Sequence, residues 1–251
     1  MMKICLLILT CLGFTTLFAQ DSIRNAAMTS QPDPVKVKMD LTNRPADHFM
    51  IQIASNGWTS MPDSIGSHQS GLSRGLNIYI MTDRPFKGNP HYSLGIGIGV
   101  GSSNIFFKKT LVDVRATGTL LPFTKLDSSN HFKKYKVSES FLEVPLELRY
   151  TSNPENSAKS FKVALGLKAG TLINAHTKGK DLQDRNNNTI NTYSEKESSK
   201  KFFNSTRFAG TLRVGYGIIS LYGSYGLTNV LKDAAGAPMK LYEVGISLSG
   251  L

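Results

Sequence analysis

Glycine occupies every second position of YSLGIGIGVGSS, residues 92–103: Gly95, Gly97, Gly99 and Gly101. Glycines at short spacing cradle phosphate when they open a helix, as in G-x-G-x-x-G or the P-loop. Neither register works here. Gly95 and Gly97 need a third glycine where Val100 stands, and Gly97 and Gly99 need it where Ser102 stands. No Gly-Lys-Ser/Thr follows. The other residues able to do chemistry are scattered. His48, His68, His91, His131 and His176 form no i,i+2 or i,i+4 pair and have no cysteine beside them, so no zinc site is visible. DRNNNTI, residues 184–190, opens like a calcium loop but lacks its glycine and closing glutamate, and fits a polar turn better. His131, His176, Asp113 and Ser138 are residue types a rim hydrolase uses, yet solvated loop positions account for them more simply.

What remains of the glycine row is a period of two, which is a strand. Tyr92, Leu94, Ile96, Ile98 and Val100 share one face; Ser93 and the four glycines share the other. The same alternation runs through FLEVPLELRY (141–150), FKVALGLKAG (161–170), RFAGTLRVGY (207–216) and YEVGISLSG (242–250). Weaker versions lie near 48–55, 75–81 and 218–227, which makes eight strands without an amphipathic helix between them. The connections alternate in length: 57–71, DRPFKGNP, the long 104–136, SNPENSAK, the long 178–200, a turn at Gly217, and KDAAGAPM. Long loops at one end and short turns at the other predict an all-β, eight-stranded antiparallel up-and-down barrel of the outer-membrane type.

A soluble lipocalin-like carrier would show the same alternation with its faces exchanged. Two features favour apolar-out. A row of glycines facing water would weaken a soluble strand, whereas it suits the narrow interior of an eight-stranded barrel. Aromatics also gather at strand ends: Phe49, Tyr92, Tyr150, Phe161 and Tyr216 fall at one rim of the apolar face, as an aromatic girdle would. The opposite face then carries Glu143, Glu147, Arg149, Lys168, Arg213 and Glu243, with Gln52, Asn77, Tyr79 and Tyr222. Charges of both signs in a narrow lumen must pair, because an unpaired buried charge is costly. They are expected to form a structural polar network that fills the barrel, with no cofactor, metal or catalytic residue assigned.

The first 19 residues carry Lys3 and then a short apolar run, the pattern of an export signal, with a tail at 20–46 and the barrel at 47–251. Cys5 and Cys11 both fall in the leader, so no disulfide is expected. The formal charge is +11, with an excess of lysine across 104–136. A solvated loop accounts for that excess most simply, with lipid phosphate second, and for an exported chain nucleic acid is not expected as a partner. The expected partners are outer-membrane lipid and lipopolysaccharide, and envelope or secretion proteins reached through segments 104–136 and 178–200.

In ESFLEVPLELRYT, residues 139–151, the chain resembles the PorT-like outer membrane protein β-barrel family. The family's fourth strand, aromatic-Leu-Glu-Ile/Val-Pro-Leu, is matched by Phe141, Leu142, Glu143, Val144, Pro145 and Leu146. The resemblance implies an outer-membrane protein of a diderm bacterium, with a possible tie to protein secretion, and transfers no catalytic residue. The function expected is a non-enzymatic structural or interaction role. The alternatives are a rim enzyme, such as a lipid hydrolase or protease, and the soluble carrier.

Overall fold

The structure, a computed structural model, describes residues 47–70 and 73–249; the expected leader, the whole of the expected tail and the last two residues lie outside the described residues. Among the described residues eleven strands form: β1 (Asp47–Thr59), β2 (Arg74–Phe86), β3 (Asn89–Phe107), β4 (Thr110–Val112), β5 (Phe123–Lys125), β6 (His131–Thr151), β7 (Phe161–Gln183), β8 (Thr189–Ser198), β9 (Thr206–Tyr216), β10 (Ile219–Gly226) and β11 (Lys240–Ser249). Eight of them pair antiparallel in the ring β6-β3-β2-β1-β11-β10-β9-β7, and β6–β7 pairing closes it. Closure leaves no barrel strand with an unpaired edge, the condition for spanning lipid with strands.

The connections at one end are tight. β9 and β10 are joined at Gly217, whose φ of +63° fits the first position of a type II′ turn. Between β6 and β7, Asn153 Oδ1 accepts from the backbone N–H groups of Glu155 and Asn156 at 3.2 and 3.3 Å and caps a short 3-10 turn. β6 runs through a proline. The β3–β6 ladder is interrupted opposite Gly97 and Ile98, where Pro145 has no N–H to donate.

Outward positions through the middle of the wall are apolar and bare. Leu165 is 64%, Leu221 71% and Val244 62% exposed, with Ile53, Ile80 and Ile98 beside them on other strands. Soluble monomers rarely expose a continuous apolar belt to water; here the apolar face is outside and meets lipid, whereas the carrier alternative needs that face inside. At the turn end Tyr92 pairs with Tyr150, their ring centroids 5.3 Å apart, and Phe161 pairs with Tyr216. Phe49 stands opposite Ile80, while β2 runs on past it to an exposed Phe86. Leu165→Arg sits mid-belt and should cost the inserted barrel about 2–4 kcal/mol in a urea titration from vesicles; the same change at Phe161 should cost about 0–1 kcal/mol. Equal effects at the two positions would contradict a lipid-facing belt.

The long connections are not the loops expected from sequence. Residues 104–107 continue β3 and 131–136 begin β6, so segment 104–136 narrows to a connection at 108–130 that carries the β4–β5 hairpin. Segment 178–200 is mostly strand: the end of β7 and all of β8, which pairs with the β7 extension outside the ring. At 23 residues β7 rises roughly 50 Å at 3.3 Å per residue and ~45° tilt, about twice the ~25 Å apolar band. The strands continue because their alternation changes phase. Above the belt the inward positions turn apolar (Ile105, Phe107, Tyr135, Val137) and the outward ones polar (Asn104, Lys134, Lys136, Ser138).

Those inward apolar residues meet the connections and close the outer mouth. Trp58, Phe107, Val112, Leu121, Phe202, Phe203, Leu231 and Met239 form one buried cluster. Polar ties hold it: Tyr135 Oη donates to the Val112 carbonyl at 2.9 Å and accepts from its N–H at 3.1 Å. Lys201 Nζ donates to the carbonyls of Ala116 and Thr117 at 2.9 and 2.8 Å, and Leu121 N–H to Ala235 O at 2.8 Å.

Candidate functional site: the charged lumen

Below the apolar cap the lumen is polar, and the residues expected there lie in it. Glu143, Glu147, Lys168, Arg213 and Glu243 are buried, and Arg149 is half-buried at the turn end. They fall into two groups. Nearer the cap, Glu143 accepts from the Tyr79 hydroxyl and, through Oε1, from Arg207 Nη2 at 2.5 Å and Nε at 3.1 Å. Lys168 Nζ lies 3.7 Å from Glu143 Oε2 and donates to Glu243 Oε2 at 2.7 Å. Tyr222 Oη donates to the same Glu243 oxygen at 2.9 Å. Nearer the turns, Arg213 Nη2 and Arg149 Nε donate to Glu147 Oε2 at 2.6 and 2.9 Å, and Asp83 lies 3.5 Å from Arg149.

Four carboxylates (Asp83, Glu143, Glu147, Glu243) thus meet four cations (Arg149, Lys168, Arg207, Arg213), while a fifth buried inward acid, Glu139, forms no ion pair among the described residues. The pairing matters. A lumen lined by one sign of charge attracts counter-ions, whereas a paired network saturates its own charges and resists passage. A cavity of about 40 Å³ remains near the turn end, bordered by Asp83, Arg149, Arg213 and Ser249, room for a few waters at most.

Arg207 and Asp83 were not singled out from sequence. Both were within reach: each keeps the inward parity of its strand, Arg207 two residues before Ala209 and Asp83 two after Met81. Arg207 also stacks over Phe141, its guanidinium carbon 4.0 Å from the ring centroid, which joins the network to the cap.

The glycine row now has a physical account. Its four members face inward, and each takes the place of a side chain that would collide with the network or its supports. A Cβ on Gly95 would lie 2.6 Å from the Arg149 guanidinium; on Gly97 it would meet Met81, on Gly99 Tyr79, and on Gly101 the Glu143 carboxylate. On β7, the strand beyond β6, Gly166 and Gly170 face the stems of Glu147 and Glu143 at 2.9 and 3.0 Å. Gly101→Val should lower barrel stability by about 1–3 kcal/mol in a urea titration read by gel mobility, because Glu143 must leave its partners. Gly118→Val, with nothing within 4 Å of its Cβ, should leave the midpoint unchanged.

The scattered candidates end up at the outer end, mostly apart. Ser138 and His176 are cross-strand partners, but His176 Nδ1 lies beside Asn174 Nδ2 at 3.3 Å. His131 contacts Asn187, and Asp113 accepts from the Arg115 backbone N–H at 2.9 Å. Asp184 closes its own turn by accepting from the backbone of Asn186 and Asn188, both at 2.8 Å, and these bonds hold its carboxyl below the usual range. One constellation was not expected. Ser67 Oγ lies 3.0 Å from His68 Nδ1, and His68 Nε2 lies 3.2 Å from Asp127 Oδ2.

A closed eight-stranded ring, an apolar belt bounded by aromatics, tight turns at one end and a filled polar interior define an integral outer-membrane barrel. Residues 45–232 match the family model described as outer membrane protein beta-barrel domain, and the chain belongs to that family. No curated protein matches the chain.

Proposed function

We propose that the chain is a non-enzymatic outer-membrane platform of the PorT-like kind. Its filled barrel holds a rigid outer cap at the cell surface, where it meets envelope proteins, a secretion apparatus among them. The observation that supports this most is double closure: a network of paired charges fills the membrane part, and an apolar cluster seals the mouth. A conducting pore needs neither; a platform gains rigidity from both. The Phe141–Leu146 strand motif supports the PorT-like assignment and the apolar leader supports export by a diderm bacterium. In planar bilayers the purified protein should give no conductance steps; stable ion-conducting steps would overturn the platform reading.

A rim enzyme is the second reading, favoured by Ser67, His68 and Asp127. Their connectivity is that of a serine–histidine–carboxylate relay with the two imidazole nitrogens exchanged. The side chain of Asp127 is 57% exposed, where water weakens its hold on the imidazole. Under the platform reading, wild type and Ser67→Ala show the same absence of lipid and ester turnover. Hydrolysis by wild type that disappears in Ser67→Ala would establish the enzyme instead.

A further inference from the structure

The strand extensions above the belt carry lysine against lysine. Lys136 of β6 is the direct cross-strand partner of Lys178 in β7, and Lys178 is the direct partner of Lys196 in β8. One step further out Lys134 is opposite Lys180. Like charges in register destabilise a sheet, and among the described residues none of these five forms an ion pair. Lys136 donates instead to Asn104 Oδ1 at 2.6 Å. The acids of β8 do not relieve the ladder: Glu195 and Glu197 are opposite Gly179 and Thr177 and border Tyr135, on the other face of the sheet. Two groups at the ladder, both above the membrane-spanning part, carry its mark. Burial and then the charges of Lys178 and Lys196 lower the Lys136 ammonium, and burial followed by Lys196, Lys136 and Lys178 lowers His176.

The position of the ladder identifies its counter-charge. It lies on the same outward face as the lipid belt. On β6 the outward sequence from the membrane is Leu142, Ser140, Ser138, Lys136. Fourteen residues of tilted strand separate Lys136 from Tyr150 at the turn-end rim, about 33 Å, which puts Lys136 about 8 Å beyond a ~25 Å apolar band. A glycerophospholipid headgroup layer is only about 5–7 Å thick. A lipid whose phosphates are carried on a saccharide headgroup reaches that height; a plain anionic phospholipid does not.

We propose that Lys136, Lys178 and Lys196, flanked by Lys134 and Lys180, form a docking site on the barrel's outer flank for the phosphorylated saccharide headgroup of an outer-leaflet glycolipid. The site rests on the reading of the chain as an outer-membrane barrel with its cap outward. Clustered lysines suit dispersed phosphates, to which each ammonium acts as a point charge. The bound headgroup supplies the charge that the ladder lacks and anchors the cap to the lipid around it.

The test uses the full chain folded in uncharged detergent. Binding is measured for lipopolysaccharide, for the same lipopolysaccharide stripped of phosphate, and for phosphatidylglycerol. The triple variant Lys136→Gln, Lys178→Gln, Lys196→Gln should bind lipopolysaccharide about a hundred-fold more weakly, the scale set by three lost cationic contacts. Removing the phosphates should weaken wild-type binding by a similar factor. Phosphatidylglycerol should bind poorly, and millimolar inorganic phosphate should not displace the glycolipid. Lys178→Glu, which turns the ladder into Lys–Glu–Lys, should fold at least as stably as wild type and lose binding; it serves if the triple variant fails to fold. Undiminished binding by either variant, equal binding of the stripped glycolipid, equal binding of phosphatidylglycerol, or displacement by free phosphate overturns the proposal. Heat-dependent gel mobility is recorded on every sample. Its absence in wild type defeats the barrel reading, whereas its presence with unchanged binding defeats only the ladder.

Discussion

Glu143→Ala lowers the stability of the folded barrel by about 3–5 kcal/mol, the cost of removing one partner from a buried charge group. Glu143 is fully buried and ties three strands together: it accepts from Tyr79 on β2 and Arg207 on β9, and faces Lys168 on β7. With the carboxylate gone, Arg207 retains no hydrogen-bonded acid partner, while Lys168 keeps Glu243. Glu143→Gln preserves the shape and removes only the charge, so its loss should be smaller. Restoring neutrality with Glu143→Ala and Arg207→Met should recover part of the stability, because the stranded cation carries much of the penalty. Urea titration of the vesicle-inserted protein provides the measurement. A single Glu143→Ala change that leaves the midpoint in place would mean that lumen water, not the network, solvates these charges.

Phe203→Ala should cost a similar amount, about 3–5 kcal/mol, but in a different place. Phe203 is fully buried in the cap, and its backbone pairs with Leu231 in an isolated bridge. It belongs to the cap cluster and not to the lumen network, so the loss should appear as opening of the cap while the ring stays closed. Trp58, the single tryptophan of the chain, reports on this directly: it is 3% exposed and its ring lies 5.8 Å from that of Phe107 within the cap. In Phe203→Ala its fluorescence should shift to the red at a lower urea concentration than the loss of heat-dependent mobility. Coincident transitions would mean that cap and ring unfold as one unit.

The barrel was legible because its lower half obeys one rule. Leu142, Val144, Leu146 and Leu148 alternate with Glu143, Pro145, Glu147 and Arg149, and the structure turns the first set to lipid and the second to the lumen. The cap was not legible, because above the belt the rule reverses. On β6 the inward positions run Glu147, Glu143, Glu139 and then Val137 and Tyr135; on β1 they run Gln52, Asn56 and then Trp58. A strand leaving the lipid has water outside and a closed mouth inside, so apolar residues belong on the opposite face. Each short piece still alternates, but the phase change breaks the long pattern, and the lysines of 133–136 and 178–180 look like solvated loop. The lysine ladder lay beyond sequence for another reason: only the register of three strands places Lys136, Lys178 and Lys196 side by side. The same holds for Ser67, His68 and Asp127, brought together by the fold across 59 residues of sequence.

Electrophoresis of the isolated outer-membrane fraction, with and without boiling, tests most directly whether the chain is a closed barrel whose apolar face meets lipid. A closed membrane barrel resists the detergent until heated and migrates differently before and after; the protein should show that shift, in that fraction. An unshifted band, with the protein in the soluble periplasmic fraction, would contradict it.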